Sequence, residues 1–185
     1  MTARNLLAGV GLAAAVLTGA GRDALACACC ADLHVRVITR IKVADAIAAL
    51  GKSTGTGTLT IAKRDRKARF AVSKDKRIMI RTADGAMVFS PAGPVWHRRT
   101  DISFIAGRGG AGSAQLLKEY VLRGPVRGTG VFKTLLGEKA VSARLVLYGV
   151  GNACAAPRDL RKWVIHLVRG RKVLGFGAGT LRAAE

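Results

Sequence analysis

The sequence predicts an all-β fold, an antiparallel meander that closes into a barrel or folds into a two-sheet sandwich. Over most of the chain, short runs of apolar and β-branched residues alternate with polar ones, as in half-buried strands. Turn-forming residues divide these runs at short intervals, and few segments have helical periodicity. These observations together indicate about ten strands and one or two short helices.

The first predicted strand covers residues 33–43, where apolar and basic residues alternate and only Ile38 breaks the pattern. Four short strands are expected next, at residues 54–63, 67–73, 77–82 and 86–90. Asp84-Gly85 separates the last two and favours a hairpin whose two central residues have positive φ. Residues 95–106 predict a longer strand, with a bulge near Arg98-Arg99, where the alternation changes phase.

The second half of the chain repeats this pattern. Strands are expected over the segments EYVLRG, GVFKTLL, VSARLVLYGVG, WVIHLVRG and KVLGFGAGTL, with a loop at GPVRGTG. Residues 44–52, rich in alanine and containing Gly51 near their end, predict a helix, and Pro157 favours a single helical turn. Residues 114–122 fit either a helical face or a strand. The expected barrel has lipocalin-like proportions, a comparison of architecture alone, since the Gly-x-Trp sequence of lipocalins is absent near the first strand.

Residues 1–26 are typical of an export signal. Arg4 precedes an apolar run over residues 6–20, and Ala24-Leu25-Ala26 matches a signal-peptidase site. The run is shorter than the roughly 20 residues that a membrane-spanning helix needs. We therefore expect a signal peptide over residues 1–26 and a single β domain over residues 27–185, located in the periplasm or outside the cell and without a transmembrane segment.

The four cysteines are predicted to form disulfides in that oxidising compartment: Cys27, Cys29, Cys30 and Cys154. A bond between the adjacent Cys29 and Cys30 would be strained, so Cys154 is expected to pair with one of these two. The alternative is a soft-metal site for Cu(I) or Zn²⁺ formed by Cys27, Cys29, Cys30 and His34. A lipid anchor at Cys27 is disfavoured, because the residue three positions before it is not a bulky aliphatic one.

A strongly basic composition favours an anionic partner. The chain has 31 Lys and Arg against 11 Asp and Glu, a net charge of +20. Such a charge attracts lipopolysaccharide phosphates, acidic polysaccharides or nucleic acid, although a codon bias toward arginine would produce a similar composition without any partner. The candidate anion-binding residues are Arg64, Lys67, Lys74, Lys76, Arg98, Arg99, Arg108, Arg158, Arg161 and Arg171.

Sequence-specific nucleic-acid binding is disfavoured, because it needs exposed aromatic residues among the basic ones. Only Trp96 fits; most other aromatic residues lie among aliphatic ones and are expected in the core: Phe70, Phe89, Phe104, Phe132, Tyr148, Trp163 and Phe176. The Gly107–Gly112 segment matches G-x-G-x-x-G but lacks a parallel βα context, so we interpret it as a glycine-rich loop in which Arg108 can reach an anion.

Enzymatic signatures are also lacking. The sequence contains no G-x-S-x-G, no H-E-x-x-H and no close pair of carboxylates, and Asp101 and Glu119 are the two carboxylates to inspect for burial. His97 is expected to be a core or surface histidine. The sequence therefore favours a non-enzymatic binding module for an anionic ligand, with no catalytic residue, no cofactor and an oligomeric state left open.

Overall fold

The computed structural model describes residues 36–73, 75, 77–102, 116–137, 140–151 and 159–182. These residues form ten strands and two short helices. In chain order the elements are β1 (Arg36–Ile41), α1 (Val43–Leu50), β2 (Thr54–Ile61), β3 (Arg64–Val72), β4 (Ile78–Thr82), β5 (Gly85–Phe89), β6 (Val95–Asp101), β7 (Leu116–Gly128), α2 (Val131–Leu136), β8 (Ser142–Gly151), β9 (Lys162–Arg169) and β10 (Lys172–Arg182). The predicted all-β class is confirmed.

Eight of the described strands close into an antiparallel barrel. Around the barrel the hydrogen-bonded order is β7, β5, β4, β3, β2, β10, β9 and β8, and β8 pairs again with β7. The other two strands, β6 and β1, form a ribbon that extends from β7. Of the two predicted architectures, the barrel is the one that the chain adopts.

β7 is the longest strand because it serves both the barrel and the ribbon. Its residues Leu116–Val121 pair with β6, whereas Val126–Gly128 pair with β5. Near the change of partner, a Cβ on Gly124 would lie 2.1 Å from the carbonyl oxygen of Ser90. The loop expected at GPVRGTG is therefore wrong for residues 124–128, which continue the strand. Residues 116–122, which fitted a helix or a strand, belong to the strand.

The inside of the barrel is filled by large apolar side chains. Trp163, Phe70 and Phe89 are fully buried, and the rings of Phe70 and Trp163 stack with their centroids 5.9 Å apart. Trp163 lies against Gly57 of β2 and Gly179 of β10, where a Cβ on either glycine would come within 2.7 Å of the indole. These two glycines form a glycine seam that receives the indole ring.

A helix lies at each end of the barrel. α1 directly precedes β2 and buries Ala46, Ile47 and Leu50 in the core. α2 connects β7 to β8 and buries Phe132 and Leu136. The antiparallel register places the first residue of β2 and the first residue of β8 at opposite ends, so the two helices cover opposite ends of the packed interior.

The strand predicted at GVFKTLL is wrong, because this segment forms α2. Phe132 and Leu136 are four residues apart, which places them on one helical face. Gly130 and Gly137 flank the helix with φ of 58° and 52°, a conformation that glycine adopts without strain. The predicted helix over residues 44–52 is confirmed as α1.

The hairpin expected at Asp84-Gly85 forms, but with different central residues. Thr82 pairs with Gly85, so the turn centres on Ala83-Asp84, and Gly85 does not have a positive φ. Instead, Gly85 permits close packing, because a Cβ there would lie 2.4 Å from a backbone oxygen of Thr129. Positive φ values of 50° and 61° occur at Ala62-Lys63, in the β2–β3 turn.

Two further expectations are corrected. The bulge near Arg98-Arg99 is absent, since the register of β6 with β1 and with β7 is unbroken. Phe176 is exposed and Tyr148 is half-buried rather than in the core. Both lie on the outward side of their strands, and in β10 the inward positions on either side of Phe176 are occupied by Gly175 and Gly177.

Candidate anion-binding site

The basic residues proposed from the sequence do not gather at one place. Arg64 and Lys67 lie on β3, and Arg171 lies in the β9–β10 turn, which neighbours Arg64 because β2 pairs with both β3 and β10. Arg98 and Arg99 are consecutive on β6 and so point to opposite faces of the ribbon. Arg64 and Arg171 therefore lie close together at one end of the barrel, whereas the side chain of Lys67, three positions after Arg64, is on the other face of β3, and Arg98 and Arg99 lie on the ribbon.

Other predicted residues are separate from these or are not described. Arg161 directly precedes β9, at the opposite end of the barrel from Arg171. The following residues lie outside the described parts of the chain: Lys74, Lys76, Arg108, Arg158, His34, Cys27, Cys29, Cys30 and Cys154. The disulfide, soft-metal and signal-peptide predictions concern those parts and stay predictions.

A groove on the outside of the barrel brings together basic residues that the sequence did not single out. The register aligns Thr180, Thr56, Arg69 and Arg81 in one row across β10, β2, β3 and β4. The neighbouring row begins with Arg182 and continues through Thr54, Ala71 and Met79. These outward side chains line a groove of about 570 Å³, which we call the arginine groove.

The arginine groove has the chemistry of an anion site. Its described lining residues include Arg69, Arg81 and Arg182, and none of them is a carboxylate. Arg69 and Arg81 face each other on paired strands, where Cβ atoms are about 5 Å apart and like charges repel. An anion between two guanidinium groups removes this repulsion and accepts charge-assisted hydrogen bonds. Threonine hydroxyls on the same wall add neutral donors.

The positive surface continues along the outside of β3 beyond the arginine groove. Lys67 is exposed and pairs with Thr58, one row from Arg69. Acidic residues on this side are already engaged, since Thr60 donates to Asp65 at 2.6 Å and Arg66 donates from Nε to Asp84 at 2.8 Å. Hydrogen bonds from Arg66 and Thr82 lower the pKa of Asp84.

A charged side chain is buried where the ribbon leaves the barrel. Lys118 of β7, only 2% exposed, forms an ion pair with Asp159. Asp159 packs directly on Gly149 and Gly151 of β8, where a Cβ would overlap it. This ion pair satisfies the charge of a lysine that would otherwise be alone in the core.

His97 and Tyr120 lie beside this ion pair. Their rings meet edge to face, with centroids 4.8 Å apart. Burial, followed by the positive charges of Arg99 and Lys118, lowers the pKa of His97 to about 4. Burial also raises the pKa of Tyr120. Both rings are thus uncharged near neutral pH, as expected for core residues, and the interpretation of His97 as a core or surface histidine agrees with its burial.

The aromatic residue expected to be available for stacking is partly covered. Arg40 lies opposite Trp96 in the pairing of β1 with β6, and its guanidinium carbon is 4.5 Å from the centroid of the Trp96 ring. This cation–π contact occupies one face of the indole.

The described residues contain neither a membrane-spanning helix nor a metal-binding cluster. No helix among them is long and apolar enough to cross a membrane, and no group of three or more His, Cys, Asp or Glu side chains within that part of the chain is arranged to hold a metal ion.

Comparison with known proteins gives no assignment. No family model, no curated protein and no solved structure matches the chain.

Proposed function

We propose that the protein is an exported, non-enzymatic binding module that holds an anionic ligand in the arginine groove. The observation that carries this proposal is the collection of three arginines in one groove on the outside of the barrel, where none of the described lining residues is a carboxylate. Arg69, Arg81 and Arg182 come from three different strands, so the folded register is needed to bring them together.

The packing of the barrel interior, as far as the structure describes it, favours a ligand site on the outside of the barrel. Trp163, Phe70 and Phe89 fill the barrel, and α1 and α2 cover its ends. A ligand on the outer surface needs no space inside the barrel. The proposal of export depends on the sequence of residues 1–26 alone.

The groove favours a ligand with two or more phosphate, sulfate or carboxylate groups. Neighbouring strands are about 5 Å apart, so the three spacings from β4 through β3 and β2 to β10 separate Arg81 from Arg182 by roughly 15 Å. A single small anion can bridge Arg69 and Arg81, whereas contact with Arg182 as well requires an extended ligand. Acidic polysaccharides and polyphosphates carry several such anionic groups along an extended chain.

The test is retention of the full chain on a sulfated polysaccharide, with calorimetric titration by inorganic tripolyphosphate. The double variant Arg69→Ser/Arg81→Ser should weaken tripolyphosphate binding about tenfold or more, because it removes two charge-assisted contacts. It should also reduce the salt dependence of binding by roughly two ion equivalents.

A matched control comes from another pair of facing arginines. Arg123 and Arg144 pair across β7 and β8, outside the arginine groove. The variant Arg123→Ser/Arg144→Ser removes the same number of charges and should leave tripolyphosphate binding nearly unchanged. Equal losses in the two double variants would mean that net charge alone drives binding, and the proposal would be wrong.

A further inference from the structure

Two neighbouring hairpin turns form a basic tip at one end of the barrel. The β2–β3 turn contains Lys63 and is followed by Arg64, while the β9–β10 turn contains Arg171 and is followed by Lys172. Gly175 pairs with Ile61, so the two turns lie side by side. All four basic side chains are exposed.

The same tip has the two most exposed of the large apolar residues that the structure describes. Val173 is 56% exposed and Phe176 is 51% exposed. Val173 pairs with Val168 and Phe176 pairs with His166 and Thr60, on the outside of the barrel. Since the core lies on the opposite face, these two side chains contribute little to folding.

The combination of basic and apolar side chains at the tip favours a lipid surface over a soluble polyanion as its partner. A soluble polyanion pairs with cations but leaves a phenyl ring in water. An anionic lipid surface accepts both, because basic residues bind its phosphates while aromatic and aliphatic side chains enter the interfacial region. Among the described residues, the carboxylates beside the tip, Asp65 and Asp84, already accept hydrogen bonds from Thr60 and Arg66, which limits their repulsion of lipid phosphates.

We propose that this tip, composed of Lys63, Arg64, Arg171, Lys172, Val173 and Phe176, docks on an anionic lipid surface. Val173 and Phe176 enter the headgroup region, and the four basic side chains contact lipid phosphates. This inference goes beyond the arginine groove, since it uses different residues and does not require the groove to bind its ligand.

The experiment measures co-sedimentation of the full chain with vesicles. One set of vesicles contains equal parts of phosphatidylglycerol and phosphatidylcholine, and the other contains phosphatidylcholine alone. The protein should bind the first set and not the second. The variant Val173→Ser/Phe176→Ser should lower binding to the anionic vesicles about tenfold, because it removes the apolar contacts and leaves every charge.

Two controls separate this proposal from its alternatives. Ile38→Ser/Val150→Ser removes two other exposed apolar residues, which are 46% and 45% exposed, and should leave vesicle binding unchanged. Arg69→Ser/Arg81→Ser should weaken tripolyphosphate binding about tenfold or more and retain most vesicle binding. Unfolding curves confirm that each variant remains folded.

Three results would overturn the proposal. One is the absence of binding to anionic vesicles at low salt. Another is equal binding by the wild type and by Val173→Ser/Phe176→Ser, which indicates attraction by charge alone. The last is an equal loss in Ile38→Ser/Val150→Ser, which indicates nonspecific apolar adsorption. Failure of tripolyphosphate binding in the wild type, with vesicle binding intact, would contradict only the proposed function of the groove.

Discussion

At the scale of single residues, the buried ion pair between Lys118 and Asp159 gives a prediction about stability. Lys118 is 2% exposed, so removing its partner leaves an uncompensated charge in the core. We expect Asp159→Ala to lower the free energy of unfolding by about 3 kcal/mol or more, measured by chemical denaturation. The double variant Lys118→Met/Asp159→Leu should recover most of this loss, since it removes both charges. A double variant as unstable as the single one would contradict this account.

His97 gives a prediction about pH. The unfolded chain takes up a proton on this side chain near pH 6.5, whereas the folded protein does so only near pH 4. Between these values the unfolded state binds more protons, so acidification favours unfolding. Stability should fall by between about 1 and 3 kcal/mol from pH 7 to pH 4. His97→Phe, which keeps a ring against Tyr120, should reduce the pH dependence of stability between pH 7 and pH 4. If the slope is unchanged in this variant, other titratable groups cause the pH dependence.

At the scale of elements, the glycine seam couples β2 and β10 to the core. A Cβ at Gly57 would lie 2.2 Å from the carbonyl oxygen of Ala178 as well as close to Trp163. Gly57→Ala should therefore lower the free energy of unfolding by about 2 kcal/mol or more, because backbone and indole must both shift. Thr58→Ala, on the outward side of the same strand, should change it by less than about 0.5 kcal/mol. Similar effects at the two positions would be inconsistent with the seam.

Alternation and turn residues predict most of the strands and the all-β class, but they leave the barrel and the two-sheet sandwich as alternatives. They failed where a segment is short or where its partner changes. The α2 segment has apolar residues at positions compatible with either a strand or a single helical face, and packing at the barrel end decides between them. The change of phase near Arg98-Arg99 predicts a bulge in β6, but the register is unbroken and the inward position is occupied by a polar residue, His97.

The arginine groove could not be predicted from the sequence for a related reason. Arg81 and Arg182 lie far apart in the chain and meet Arg69 only through the register of four strands. Basic residues that are close in the sequence, such as those of residues 64–69 in β3, identify charge only along one strand. Which residues become cross-strand neighbours depends on the register of the strands, and no local sequence pattern specifies that register.

At the scale of the whole molecule, a net charge of +20 should make stability depend on ionic strength. Repulsion among the cations opposes the compact state, and salt screens it over a Debye length of about 10 Å at 0.1 M. The midpoint of thermal unfolding should therefore rise when sodium chloride is added to a low-salt solution. The Arg69→Ser/Arg81→Ser variant should show a smaller rise, and a fall in the wild type would mean that favourable ion pairs dominate.

The division of β7 between two partners bears on how the molecule opens. In the described structure, the ribbon of β1 and β6 is hydrogen-bonded to the barrel only along Leu116–Val121 of β7. If the pairing of β6 with β7 separates, the eight-stranded barrel keeps all of its own strand pairings. Amide protons of Arg98 and its neighbours can then reach solvent through a sub-global fluctuation, at a cost below that of complete denaturation. Deuterium uptake should accordingly begin in these two strands and spread to the ring only when the whole cylinder melts.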